Sequence, residues 1–112
     1  MKKQIIATLT LVLLTGFVSV AHAEIDEAAA KKLAKSNDCF KCHAVDKTKK
    51  GPAYKKIAIK YKGKADAEAA LIKQITTGPK VKLEDGTEED HKIIETKDKA
   101  ELKNLVGWIL SL

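Results

Sequence analysis

The hydrophobic pattern divides the chain into a short leader and a longer domain. Two lysines open the chain, an apolar run follows over residues 5–20, and small residues stand at positions 21 and 23. A basic start, an apolar middle and a small-x-small end are typical of a secretory signal peptide. Threonine, serine and glycine interrupt the run, which falls short of the about 20 apolar residues that a membrane span needs. The pattern predicts a signal peptide over residues 1–23, cleaved after Ala23, and one domain over residues 24–112.

Four stretches of this domain carry apolar residues at helical spacing. The first begins near Asp26 and ends near residue 35, the second covers residues 52–61, and the third covers residues 66–77. The last follows Asp98, which together with Glu101 resembles a capping box. Its apolar residues are spaced i, i+3, i+4, i+7 and i+8, and are Leu102, Leu105, Val106, Ile109 and Leu110.

Strand-like alternation is not convincing anywhere in the domain, and residues 79–95 have no clear period. In the first helix, Ala30, Leu33 and Ala34 share one face, and two of the three are small enough to let another helix approach closely. The sequence therefore predicts an all-α domain of about four helices, with residues 79–95 as a connecting region.

The charge pattern excludes one class of partner and leaves another open. The formal net charge is +6 and falls to +4 when residues 1–23 are removed, and the chain has no arginine. Without guanidinium groups a nucleic-acid partner is not expected. Residues 39–82 carry a net +9 and residues 83–101 a net −5. These segments are either solvated faces or a charge dipole that orients the protein against a charged partner.

The strongest chemical signal is the motif Cys39-Phe-Lys-Cys42-His43. Two thiols at this spacing can add to the two vinyl groups of one haem, and the adjacent histidine can then bind the iron. A thioredoxin-type redox motif would follow a strand, whereas this one follows a predicted helix. The cysteines are also compatible with a zinc site that includes His91, or with a plain disulfide. The disulfide would give His43 no role, so the motif favours covalent haem attachment.

Around this motif the chain resembles small bacterial monohaem cytochromes c of class I. The matching pieces are the first helix, C-F-K-C-H-A-V-D, K-K-G-P-A-Y-K-K-I-A-I-K-Y-K-G and the ending A-E-L-K-N-L-V-G-W-I-L-S-L. The resemblance implies a fold of about four helices around one covalently bound haem c, with the first and last helices crossing. It implies that the Pro52 carbonyl accepts the ring N–H of His43. It also implies that Tyr54, Tyr61 and Trp108 are packing residues.

The chain departs from this family at the sixth iron ligand. The family supplies a methionine ahead of the last helix, but Met1 is the only methionine here and lies in the predicted signal peptide. With both cysteines bound to haem and His43 on the proximal side, His91 is the strong neutral donor left in the mature chain. It stands about where the family methionine does. The alternative is that His91 is a solvent-exposed loop histidine and that water or a lysine such as Lys92 binds the iron, but a lysine must first lose its proton.

The resulting expectation is an electron-transfer protein of the periplasm that is not an enzyme. It would be a monomer that exchanges one electron with redox partner proteins, in part through the lysine-rich region, without stable membrane insertion. The competing function is a haem-based ligand-binding or sensor protein, in which His91 is displaced from the iron.

Overall fold

The first helix, α1, spans Glu27–Ser36 in a computed structural model that describes Gly16 and residues 24–112. The predicted signal peptide and its cleavage site therefore lie outside the described residues, apart from Gly16. The carboxylate of Asp26 accepts the N–H of Ala29 at 2.9 Å and caps the helix. Glu27 in the first turn and Lys35 in the last match the helix dipole.

The last helix, α4, spans Lys99–Leu110 and crosses α1. Ala30 and Ala34 are almost fully buried. Their small side chains allow the two helices to pack closely, as the sequence predicts. The side-chain amide of Asn104 joins the same crossing, because it accepts from the backbone N–H of Asp26 and donates to its carbonyl, both at 2.8 Å. Leu105 and Val106 lie beneath this crossing at the centre of the core.

Two further helices surround the space beside α4. Helix α2 spans Tyr54–Tyr61 and begins two residues later than its sequence pattern suggests, whereas α3 spans Ala67–Thr77. Helix α3 ends at Gly78, whose left-handed backbone (φ 60°, ψ 52°) stops the helix. Both helices pack on α4. The predicted all-α architecture of about four helices is confirmed.

The expectation that residues 79–95 contain no strand is wrong. Strands β1 (Lys80–Lys82) and β2 (Glu88–Asp90) form an antiparallel hairpin in which Val81 lies opposite Glu89. The sequence pattern does not reveal this hairpin, because five of its six strand residues are charged and exposed. Apolar and polar residues therefore do not alternate along the strands. Its turn is set by Asp85, whose carboxylate accepts from the backbone N–H and the hydroxyl of Thr87.

The N-terminus of α4 is capped by hydrogen bonds that differ from those of the predicted capping box. The Asp98 carboxylate caps the helix by accepting from the N–H of Ala100 at 2.9 Å. Glu101 does not reach the N–H of Asp98, because Thr96 lies between them: its hydroxyl accepts that N–H and donates to Glu101. In the part of the chain described, no helix is long and apolar enough to cross a membrane.

Candidate functional site

The cysteine motif lies in a tight turn directly after α1. A 3₁₀ helix spans Cys39–Lys41, and Asp38 before it adopts a left-handed backbone (φ 59°) that reverses the chain. The carbonyl of Cys39 accepts the N–H of Cys42 at 3.2 Å and of His43 at 3.0 Å. Both cysteines are free thiols and half-buried, and burial raises the pKa of the Cys39 thiol. The turn therefore holds two thiols and an imidazole on one short loop.

Contacts with Pro52 and Tyr54 hold the ring of His43 in place. Its Nδ1 lies 2.7 Å from the carbonyl oxygen of Pro52. A carbonyl can only accept, so Nδ1 carries the proton and Nε2 keeps its lone pair. The ring stacks on Tyr54 with centres 5.2 Å apart. Burial lowers the pKa of His43, although the Pro52 carbonyl acts in the opposite direction, and a neutral imidazole is the form that binds metals.

Gly51 lies directly against this ring. A Cβ at this position would be 2.8 Å from Cε1 of His43 and 3.2 Å from Nδ1, closer than a carbon atom can approach without displacing the ring. The N–H of Gly51 also donates to the carbonyl of Cys42 at 2.8 Å. The local sequence pattern does not reveal this role of Gly51, because the contact depends on how the loop brings it against the ring of His43.

His91 follows strand β2 and lies across the cavity from His43. Its backbone N–H donates to the carbonyl of Pro79 at 2.9 Å, and its Nδ1 lies 2.8 Å from the carbonyl oxygen of Lys92. By the same reasoning as for His43, Nδ1 is the nitrogen that donates to this carbonyl, which leaves Nε2 as the nitrogen that can bind a metal. The ammonium of Lys92 pairs with Asp38 at 3.3 Å, which ties the segment after His91 to the residue before Cys39.

The two imidazoles face the same cavity. Their ring centres are 6.1 Å apart, and the ring planes are inclined by 45°. The cavity has a volume of about 680 Å³, which lies in the range of pockets that take organic ligands. Both cysteines, Pro52 and apolar side chains such as Leu71, Ile94 and Val106 line it. All five residues singled out by sequence as site residues therefore border one cavity.

The separation of the two rings allows a direct test of whether a haem iron fits between them. An imidazole nitrogen binds a first-row metal at about 2.0 Å and the ring centre lies roughly 1.1 Å behind it, so two such ligands on opposite sides of one iron have ring centres about 6.2 Å apart. The measured 6.1 Å agrees with this span. The residues present therefore fit a haem held between His43 and His91.

Of the predicted packing aromatics, Tyr54 and Tyr61 line this cavity, and Trp108 packs behind Tyr54. Tyr54 is buried and contacts Trp108 edge to face, with ring centres 5.7 Å apart, and burial raises its pKa well above the usual range. Trp108 is buried as well, and its ring N–H has no partner among the described residues. Tyr61 is partly exposed, and Lys60 and Lys64 lie over its ring. Within residues 24–112, no three His, Cys, Asp or Glu side chains converge to hold a metal ion by themselves.

Comparison with known proteins decides the family. The model of the cytochrome c family matches residues 27–112. The chain belongs to the cytochrome c family. The class 1 cytochrome MtoD of Sideroxydans lithotrophicus ES-1 is similar in structure, with 60% identity and a TM-score of 0.76 over 79% of this chain and 97% of that one.

Two curated relatives agree with this assignment. Cytochrome c2 of Rhodocyclus tenuis is 38% identical over 88 residues, which are 78% of this chain and 92% of that protein. Cytochrome c-551 of Pseudomonas aeruginosa is 48% identical over 46 residues, so this match spans only 44% of that relative. The chain is thus a small class I monohaem cytochrome with one covalently bound haem c, and its function is electron transfer.

Proposed function

We propose that this protein is a periplasmic one-electron carrier whose haem c is attached through Cys39 and Cys42 and held between His43 and His91. The haem, when bound, supplies an iron that accepts and returns one electron. Cys39 and Cys42 would attach it, His43 and His91 would each supply a nitrogen ligand, and the apolar side chains that line the cavity would pack against it. The observation that carries the proposal is the pair of imidazoles facing each other across one cavity with both thiols at its edge.

The hydrogen bonds of the two histidines support their role as ligands. Each Nδ1–H is donated to a backbone carbonyl, that of Pro52 for His43 and that of Lys92 for His91. Such a bond fixes the tautomer, orients the ring and makes the other nitrogen a better donor. Both rings are thus prepared to bind through Nε2, and their 6.1 Å separation suits one iron between them.

The surroundings of Lys92 favour His91 over the competing lysine ligand. Lys92 pairs with Asp38, and hydrogen bonds from Lys41 and then from Lys92 hold the pKa of that carboxyl below its usual value. A lysine in an ion pair must give up both its partner and its proton before it can bind iron. Imidazole as a class has an ordinary pKa of about 6.5, so it binds metals near neutral pH without a comparable cost.

Replacement of His91 tests this assignment directly. We expect the wild-type ferric protein to be low-spin without the far-red band of a methionine–iron bond. His91→Ala should become high-spin and bind added imidazole or carbon monoxide, whereas the matched variant Lys92→Ala should keep the wild-type spectrum. Two imidazoles should also give a lower reduction potential than the methionine-ligated relatives have. An unchanged spectrum in His91→Ala together with a changed one in Lys92→Ala would transfer the role to the lysine.

The carbon monoxide experiment also separates electron transfer from ligand sensing. A carrier keeps both axial positions filled, so the reduced wild-type protein should resist carbon monoxide at neutral pH. Rapid and stoichiometric binding by the wild type would instead indicate the haem-based sensor with a displaceable His91.

The lysine-rich region, residues 39–82, is the proposed docking surface for redox partners. The hairpin places part of this region beside the acidic segment, because Lys80 pairs with Asp90 across the strands at 3.3 Å. Among the lysines that follow the haem motif, Lys50 also lies beside the acidic segment, because its carbonyl accepts the N–H of Glu84 at 3.2 Å, and Lys49 donates to the carbonyl of Phe40 at 2.5 Å. Positive charge near the cavity should speed association with an acidic partner and lose its effect as salt rises.

A triple charge reversal tests the docking surface. The variant changes Lys47, Lys49 and Lys50 to Glu, and its matched control, with the same change in net charge, changes the exposed residues Lys32, Lys35 and Lys97 to Glu. The first should slow bimolecular electron transfer to an acidic partner at low salt, and the difference should fade at high salt. Equal rates in the two variants would mean that these lysines are only solvated.

Export is proposed from the sequence pattern of residues 1–23. The mass of the protein purified from a host competent in cytochrome maturation should equal that of residues 24–112 plus one haem, and it should be recovered in the periplasmic fraction. A mass that retains residues 1–23 would contradict cleavage after Ala23.

A further inference from the structure

The segment that carries His91 is anchored on the end of helix α3. The N–H of His91 donates to the carbonyl of Pro79 at 2.9 Å, and the N–H of Ile94 donates to the carbonyl of Ile75 at 2.8 Å. Ile75 lies in the last turn of α3, where the helix leaves carbonyls free to accept. Residues 91–94 therefore run along the end of α3, and these two backbone hydrogen bonds lie on either side of Gly78 in the sequence.

Gly78 allows this close approach. Its φ is +60°, and a Cβ built on it would lie 2.7 Å from the carbonyl oxygen of His91 and 2.9 Å from Cγ2 of Ile93. A carbon atom keeps about 3.5 Å or more from such neighbours. The Ile93 methyl can rotate away, but a backbone oxygen moves only if the chain moves with it. Any side chain at position 78 must therefore push the backbone of His91 off the helix end.

The position of the His91 ring is tied to that backbone. Its Nδ1 donates to the carbonyl of Lys92, one residue further on, at 2.8 Å. A shift of the backbone at residues 91 and 92 should therefore move the ring as well. We propose that Gly78 is a positioning residue for His91: the missing side chain lets the His91 carbonyl rest on the end of α3 and thereby sets where the imidazole lies in the cavity. This inference depends on the proposed role of His91 as a ligand.

The displacement required is large enough to matter. Relieving the 2.7 Å contact needs a shift of about 0.5 Å or more, which is the tolerance within which a ligand must be held. The imidazole of Gly78→Ala should then leave the iron more often than in the wild type. The fraction of protein that is open to external ligands should rise about tenfold.

Two other glycines provide matched controls. Gly63 (φ +76°) and Gly86 (φ +86°) carry the same kind of backbone, but a Cβ at either would have nothing within 4 Å. Alanine at these positions adds the left-handed strain without the clash. Gly78→Asn is a second test variant, because asparagine tolerates a left-handed backbone and keeps the clashing Cβ.

The experiment measures the rate of carbon monoxide binding to the reduced holoproteins and the spin state of the ferric proteins. Gly78→Ala and Gly78→Asn should bind carbon monoxide about tenfold faster than Gly63→Ala and Gly86→Ala, with a growing high-spin fraction. Equal rates in all four variants would overturn the inference. It would also be overturned if both Gly78 variants failed to fold while both controls folded, because Gly78 would then serve the fold as a whole.

The same set of proteins distinguishes this failure from that of the ligand assignment. If His91→Ala opens the iron but the Gly78 variants behave like the controls, His91 remains the ligand and Gly78 does not position it. If His91→Ala itself changes nothing, the ligand assignment is wrong whatever the Gly78 variants do.

Discussion

Alanine in place of Gly51 should raise the reduction potential by disturbing His43. The new Cβ would lie 2.8 Å from Cε1 of the ring, where contact between carbon atoms needs about 3.5 Å. The ring must therefore move by about 0.5 Å or more. The bond from its Nδ1 to the Pro52 carbonyl is 2.7 Å long, and such a movement takes it towards the limit of about 3.2 Å for a hydrogen bond.

The size of the change follows from the value of this hydrogen bond. A neutral hydrogen bond contributes about 0.5–1.5 kcal/mol, and this one makes His43 a stronger donor, which favours the ferric state. If half to all of the central value of about 1 kcal/mol is lost, the two oxidation states shift relative to each other by about 0.5–1 kcal/mol. For one electron, about 1.4 kcal/mol corresponds to about 59 mV, so the potential should rise by roughly 20–40 mV.

Potentiometric titration of the holoprotein measures this shift. The matched control is Gly107→Ala, in which the new Cβ meets only Ile25, at 3.7 Å, away from the cavity. Its potential should equal that of the wild type. A potential of Gly51→Ala within a few millivolts of the wild type, with an unchanged histidine environment by NMR, would refute the argument that this glycine holds the His43 ring in place.

Three further changes test other parts of the molecule. Gly107→Ala should raise the free energy of unfolding by about 1 kcal/mol and the melting temperature by about 4–8 °C, because it removes a helix-interior glycine and makes an ordinary contact with Ile25; a lower melting temperature would show that the helix crossing has no room. Hydrogen bonds from Thr87 lower the pKa of Asp85, so the stability that this carboxylate adds should be present above about pH 4 and be lost as pH falls through the lowered pKa. The free energies of unfolding of the wild type and of Asp85→Asn, measured between pH 2 and 6, should therefore become equal at the acid end. Cys39→Ala should leave a single covalent attachment and lower the yield of holoprotein, as judged by haem staining after denaturing electrophoresis.

The proximal half of the site was predictable because its determinants are close in sequence. Cys39, Cys42 and His43 lie in five consecutive residues, and Pro52 is nine residues after His43. The four helices were predictable for a related reason, since each carries its own apolar stripe, and α1 and α4 also begin at an aspartate that caps the helix. Local patterns of this kind do not depend on knowing the rest of the fold.

The distal half depends on contacts that no local pattern encodes. The sequence points to His91 by elimination, but the ring position rests on the carbonyls of Pro79 and Lys92 and on the space above Gly78. The hairpin before His91 was missed because its strands are charged and exposed, so backbone pairing and the Asp85 turn hold it rather than burial. These interactions become visible only when the end of α3 and the segment after the hairpin are both in place.

The position of the cavity implies that folding requires the haem. Removing the haem would leave about 680 Å³ beside Leu71, Ile94 and Val106, in a domain of 89 residues. This space is open to solvent and would take up water rather than remain an empty void, and a native domain has only about 5–15 kcal/mol of stability to lose. Water entering the cavity would still leave its apolar walls without partners. Residues 24–112 produced without haem attachment should therefore be largely unfolded by circular dichroism and give poorly dispersed NMR spectra, whereas a cooperative, well-dispersed apoprotein would show that the helices pack without the cofactor.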